Sequence, residues 1–316
     1  MNTDFEVQPT TAFDRTHFAK LFAPPEPAAE SSAVALDDPA VAALAQANIF
    51  DSHGREEAAR GHFNASRVLH ERAIEIRRQW LGAADPQMSQ SFTWLGTLAI
   101  REGRLDEAQW LCEQARTAAE KLRGPAHPRV AAALNNLGVL ARMRGDLTRA
   151  ADYYEQALAI KLDSLGWDHP SVGATLANLG NLARESGDLR TALCYFARAR
   201  EILEDTEGGT SPTLATVLVG MGRVHLQFGA CETARWVLER ALRIREAAHV
   251  TPSQLAAARL LLGTALLDSH PEDARELVVV ALREYETSVQ PRQGNITAME
   301  DWLRGYDRGH AMRMAS

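Results

Sequence analysis

The chain repeats itself every 42 residues, and that period constrains its fold more than any other feature. Pro86, Pro128, Pro170 and Pro212 keep this step, as do Gly54, Gly96, Gly138, Gly180 and Gly222. Gly61, Gly103, Gly145, Gly187 and Gly229 keep it, and so do Ala73, Ala115, Ala157, Ala199 and Ala241. A further series, Gly82, Gly124, Gly166 and Gly208, closes each unit. A fixed period of this length marks one supersecondary unit stacked on copies of itself.

Each register has a physical reason. The prolines follow Asp85, His127, His169 and Ser211. A polar N-cap followed by proline at the first helical position, where no N–H is needed, reads as a helix start. The Gly61 series ends that helix, because a C′ residue wants positive φ. Asn64, Asp106 and Thr148 then read as N-caps of a second helix, and the Gly82 series ends it. The unit is helix A, tight turn, longer helix B, loop. The Gly54 and Ala73 series fall inside helices, where glycine costs about 1 kcal/mol against alanine. Close approach of helix A to helix B compensates, with Leu137, Leu140, Leu179, Leu182, Tyr154, Phe196, Ile160 and Ile202 filling the space around them.

The unit with Leu134, Leu137, Gly138, Gly145, Asp146, Ala150, Tyr154 and Ala157 resembles the tetratricopeptide repeat. Its 42-residue form, "LNNLG…GD…A…ALAI…LG..HP", resembles the repeats of kinesin light chains and of bacterial signalling arrays. The resemblance implies an all-α fold, a right-handed α-solenoid of stacked antiparallel helix pairs, in which helix A lines the concave side. It implies binding of a protein or peptide, and an asparagine in helix A that contacts the bound peptide.

The repeat covers residues 40–285 as about six helix pairs. The last unit, with Gly263, Ala274, Ala281 and Pro271 in its turn, is slightly out of register. Residues 286–316 carry Met299, Trp302 and Leu303 on one face and read as a capping helix and tail. Residues 1–39 read as a disordered N-terminal segment and linker, rich in proline, alanine and acid. Within them "TAFDRTHFAKLF" places Phe13, Phe18, Leu21 and Phe22 close together. Two readings apply to it: a tail with a few apolar residues, or a short docking segment.

Composition excludes several functions. The net charge of −7 opposes a nucleic-acid partner. No apolar run is long enough to span a membrane, and the start has no secretory pattern. Cys112, Cys194 and Cys231 are odd in number and far apart, which fits reduced core thiols and a cytoplasmic location. His53, His62 and His70 stand near Asp51, but steps of nine and eight residues do not put two imidazoles on one helix face. "GGTSPT" lacks the lysine of a phosphate loop, and there is no G-x-S-x-G elbow. The expectation is therefore no enzyme, no metal and no cofactor.

What remains is the exposed face of the A helices. Thr97, Arg101, Asn135, Asn136 and Arg142 fall there, followed by Asn178, Asn181, Arg184 and Arg223. Asparagine is a mediocre helix former. Its amide offers two donors and an acceptor to a peptide backbone of any sequence, and Asn136 with Asn178 would form a ladder. The arginines add forks for carboxylates. The competing reading makes the asparagines ties between neighbouring helices. The mixed charges of the B helices, among them Arg149 and Lys161, read as a solvated convex face. Together these features predict a non-catalytic scaffold or adaptor for a peptide or partner segment, with an acidic segment suited to the arginines. The alternative is a regulatory sensor that controls a kinase or transcription regulator on peptide binding.

Overall fold

A computed structural model of the protein describes residues 39–81, 86–248, 250–287 and 293–315. Among these residues the fold is all-α, with thirteen helices and no strand. In chain order they are α1 (Pro39–Ala59), α2 (Phe63–Leu81), α3 (Pro86–Arg101), α4 (Leu105–Arg123), α5 (Pro128–Met143) and α6 (Leu147–Leu165). Then follow α7 (Pro170–Glu185), α8 (Leu189–Glu207), α9 (Pro212–Gln227), α10 (Cys231–Ala247), α11 (Pro252–Leu266), α12 (Pro271–Glu286) and α13 (Gln293–Ala315). The chain divides into two compact units, one holding α1–α6 and the other α7–α13. Within each, an A helix packs most extensively on the B helix after it, and that B helix on the next A helix. No described helix is long and apolar enough to cross a membrane. The N-terminal segment, Asp85 and Gly82 lie outside the described residues.

The A helices begin as the sequence implies. The side chains of His127, His169 and Ser211 accept from the backbone N–H of Arg129, Ser171 and Thr213, with proline next in each case. Gly145, at φ 81°, turns the chain out of α5. The B helices start earlier than Asn64, Asp106 and Thr148 would place them. Asp146 and Asp188 are the caps, accepting from Arg149 N at 3.0 Å and Thr191 N at 3.1 Å. One left-handed glycine completes the turn, so the very next residue is already in cap position. Pro271 likewise is the first residue of α12 rather than part of a turn.

The interior glycines mark helix crossings. A Cβ on Gly138 would meet the Tyr154 ring at 2.5 Å, and one on Gly180 would meet Phe196 at 2.9 Å. Gly54, Gly96 and Gly222 face His70, Cys112 and Leu238 in the same way. The alanine series is fully buried from Ala73 to Ala241. Two expectations fail here. Lys161 is buried rather than solvated, because its place on α6 faces the packed side of the pair. Cys194 is exposed and Cys231 half-buried, so of the three free thiols only Cys112 is a core group. Burial pushes Cys112 up to about 12, beyond what its hydrogen bond with Asn136 takes back.

Candidate functional site

The candidate site consists of half-buried polar side chains on the A helices α5 and α7. In α5 the buried residues are Val130, Ala131, Ala133, Leu134, Leu137, Gly138, Leu140 and Ala141. Asn135, Asn136, Val139 and Arg142 are left half-buried along one side. In α7 Asn178, Asn181 and Arg184 are half-buried, as are Ser171, Ala174 and Ala183. The helical period makes this inevitable: residues three and four apart share a face, so one polar row survives when the rest is core.

In the first unit the structure brings Asn136 and Thr97 together. Asn136 Nδ2 donates to Thr97 Oγ1 at 3.0 Å and approaches the Thr93 carbonyl at 3.5 Å. Thr97 in turn donates to Thr93 O at 2.9 Å. With the Cys112 thiol also beside it, Asn136 joins α5 to α3 and α4. Arg101 is exposed and lies over the Phe63 ring at 5.7 Å. Asn135 and Arg142 stand on the half-buried side of α5.

In the second unit Asn181 Nδ2 donates within its own helix to Ala177 O at 3.1 Å. Arg184 Nη2 pairs with Glu185 at 3.0 Å. Arg223, on α9, is half-buried and close enough to Arg245 to influence it. Burial, with the Arg223 charge added, holds Arg245 down to about 10. Arg245 donates to the Gln254 carbonyl at 2.5 Å and has no carboxylate partner among the described residues. A face of this kind can offer amide donors to a backbone and guanidinium forks to carboxylates.

Sequence reasoning missed a second polar group, between α1, α2 and α3. Asp51 accepts from His70 Nδ1 at 2.7 Å and from Ser91 Oγ at 2.9 Å, and pairs with Arg77 at 2.6 Å. Arg77 also donates to Asn48 at 2.8 Å. Burial works to raise the Asp51 carboxyl, but His70 and Arg77 outweigh it and leave it below its usual range. His70 is the one imidazole in the register that elsewhere holds Cys112, Tyr154, Phe196 and Leu238. That break in an apolar register was the available signal. Similarly, the register of Arg77, Ala119, Lys161, Leu203 and Arg245 admits cations where neighbours carry apolar side chains. Among the described residues no His, Cys, Asp and Glu side chains are grouped to hold a metal ion.

With this geometry in view, the sequence matches the family model described as the tetratricopeptide repeat over residues 87–163 and 171–247. No curated protein matches it. Three solved structures share the fold. BtubC (BKLC) from P. vanneervenii is 21% identical at TM-score 0.54, covering 79% of this chain and 92% of its own. A kinesin light chain with nearly identical TPR-like repeats from Podosopora anserina is 21% identical at TM-score 0.50, covering 63% and 95%. A Rap protein complexed with competence and sporulation factor is 14% identical at TM-score 0.60, covering 85% and 77%.

Proposed function

The chain belongs to the tetratricopeptide repeat family, and from that premise we propose that it is a non-catalytic interaction scaffold holding a peptide or partner segment on the A-helix stripe. One observation carries this reading. On α5, in the first unit, the half-buried residues include Asn135, Asn136 and Arg142; on α7, in the second unit, they include Asn178, Asn181 and Arg184. An amide or a guanidinium left half-buried on a packed helix is a group with which a ligand can pair. Arg184 and Arg223 favour an acidic segment. No nucleic acid and no cofactor enter this reading, and its setting is the cytoplasm.

The test is capture of the partner by the native chain, repeated with Asn178→Ala and Arg184→Ala. Each lost contact removes about 0.5–1.5 kcal/mol, so affinity should fall roughly five- to a hundredfold for the pair. Arg184→Ala alone should flatten the salt dependence. Arg149→Ala, on an exposed site of α6, should leave affinity intact. Full binding by the Asn178 and Arg184 variants would move the ligand to another surface. Thermal unfolding is measured beside affinity for each variant, since Asn136 is tied to Thr97 and Arg184 pairs with Glu185.

The Rap neighbour, complexed with competence and sporulation factor, favours a second reading: a sensor in which a bound peptide controls a partner protein. Small-angle scattering separates the two, because a sensor changes its radius of gyration with ligand and a passive scaffold does not.

A further inference from the structure

We propose that the chain's own segment 11–22, "TAFDRTHFAKLF", docks on the outer face of α1–α2 and closes the open edge of the first helix pair. Leu95 and Leu98 of α3, and Leu137 and Leu140 of α5, are at most 4% exposed. The residues in the same registers of α1 are His53 and Glu56, and both are exposed. The first pair is thus made polar where every later pair carries buried apolar side chains.

The face is not polar throughout. His53, Glu56, Glu57 and Arg60 of the first pair line a groove of about 600 Å³ with Ala65, Val68 and Leu69 of α2. Val68 is 56% exposed, and Ile49, one turn before His53, is 46% exposed. In the register of Leu69 stands Tyr153, which packs against the cores of its own unit. At the other end of the chain a comparable face is covered. Met299, Ile296, Trp302 and Leu303 of α13 pack on the cluster of Val278, Ala281 and Tyr285. No described element covers the first pair in this way.

The segment matches the groove in chemistry and in reach. Phe13, Phe18, Leu21 and Phe22 supply apolar groups for Ala65, Val68 and Leu69. Arg15 and Lys20 supply charge for Glu56, which has no ion pair among the described residues. Glu57, by contrast, already pairs with Arg60 at 2.6 Å. Sixteen residues separate Phe22 from Pro39. Fully extended they span about 50 Å, while the helical path from Pro39 to Glu57 is about 27 Å. A tether of this length keeps the segment at an effective concentration of about a millimolar, so even a weak contact is occupied.

The experiment uses the full chain. Amide exchange is compared for the native chain, a Phe18→Asp/Phe22→Asp variant and a Val68→Asp variant. Amides of residues 66–72 should exchange at least fivefold faster in both variants. A synthetic peptide of residues 10–23 should bind the Phe18→Asp/Phe22→Asp chain in trans and should not bind the native chain, whose groove is filled. It should bind at least tenfold more weakly when Val68→Asp is added. Unchanged exchange with no peptide binding overturns the proposal. So does peptide binding that ignores Val68→Asp, which would put the segment on another surface. A native dimer that becomes monomeric on Phe18→Asp/Phe22→Asp would assign the face to a second copy and overturn it equally.

Discussion

A methyl group added at Gly138 would stand 2.5 Å from the Tyr154 ring. Alanine is the better helix former by about 1 kcal/mol, yet Gly138→Ala is expected to destabilise by about 1–3 kcal/mol, because an aromatic ring wedged between two helices has little room to move. Denaturant unfolding decides it: a more stable variant would remove the close crossing as the reason for the glycine register. That register was legible because glycine in a helix is costly and its recurrence therefore needs a cause. Lys161 was not legible. Its charge reads as a surface group although Ile160 and Leu162 flank it, and only the packing of its helix decides that it is covered. Burial pushes its ammonium down to about 8 from the ordinary 10.5. Between those pH values the unfolded chain keeps a proton that the folded chain has released, so this residue makes stability rise with pH across that window. Lys161→Met should flatten the rise. Equal pH slopes in the two proteins, measured as denaturant midpoints from pH 7 to 10.5, would refute the effect.

At the scale of helices, starts and ends differed in how plainly they could be read. Proline after His127, His169 or Ser211 leaves one place for an A helix to begin, and the structure begins it there. In the unit of α6 the sequence pattern places the cap of the B helix at Thr148, and of the two polar residues after the turn, Asp146 and Thr148, the structure uses the first. The geometry of Gly145 selects the first, since a single left-handed residue reverses the chain at once. Asp146→Ala should therefore cost about 0.5–2 kcal/mol, while Thr148→Ala should cost almost nothing. Equal losses in thermal unfolding would return the cap to Thr148. The stripe on the A helices was legible from periodicity alone, because core leucines fix which side is left over. The internal tie of Asn136 was not, since an amide on such a stripe meets a neighbouring helix or a ligand with equal ease. Its partner, Thr97, stands on another helix 39 residues away.

Across the whole chain, stability should behave as a sum of pair stabilities and nearest-neighbour interfaces, which makes the end elements disproportionately important. α13 is the element to test. Met299 is 2% exposed within the cluster of Ala256, Val278, Ala281 and Tyr285. Tyr306 stacks on Trp302 at 5.9 Å and donates to Glu272 at 3.0 Å. Arg275 of α12 pairs with Asp307 at 3.2 Å. Met299→Ala removes a buried side chain and should cost about 2–5 kcal/mol of the local stability. Deleting residues 293–316 goes further, because it leaves Val278, Ala281 and Tyr285 facing water. Exposed apolar area of this kind drives self-association, so light scattering should report oligomers that the full chain lacks. Amide exchange should show where the loss ends. In a nearest-neighbour array protection falls most in α11 and α12, less in α9 and α10, and not at all in α3 and α4. A uniform fall over all helices would mean that the chain unfolds as one cooperative body. A monomeric truncation with unchanged exchange would mean that the contacts of α13 contribute nothing to the pair beneath it.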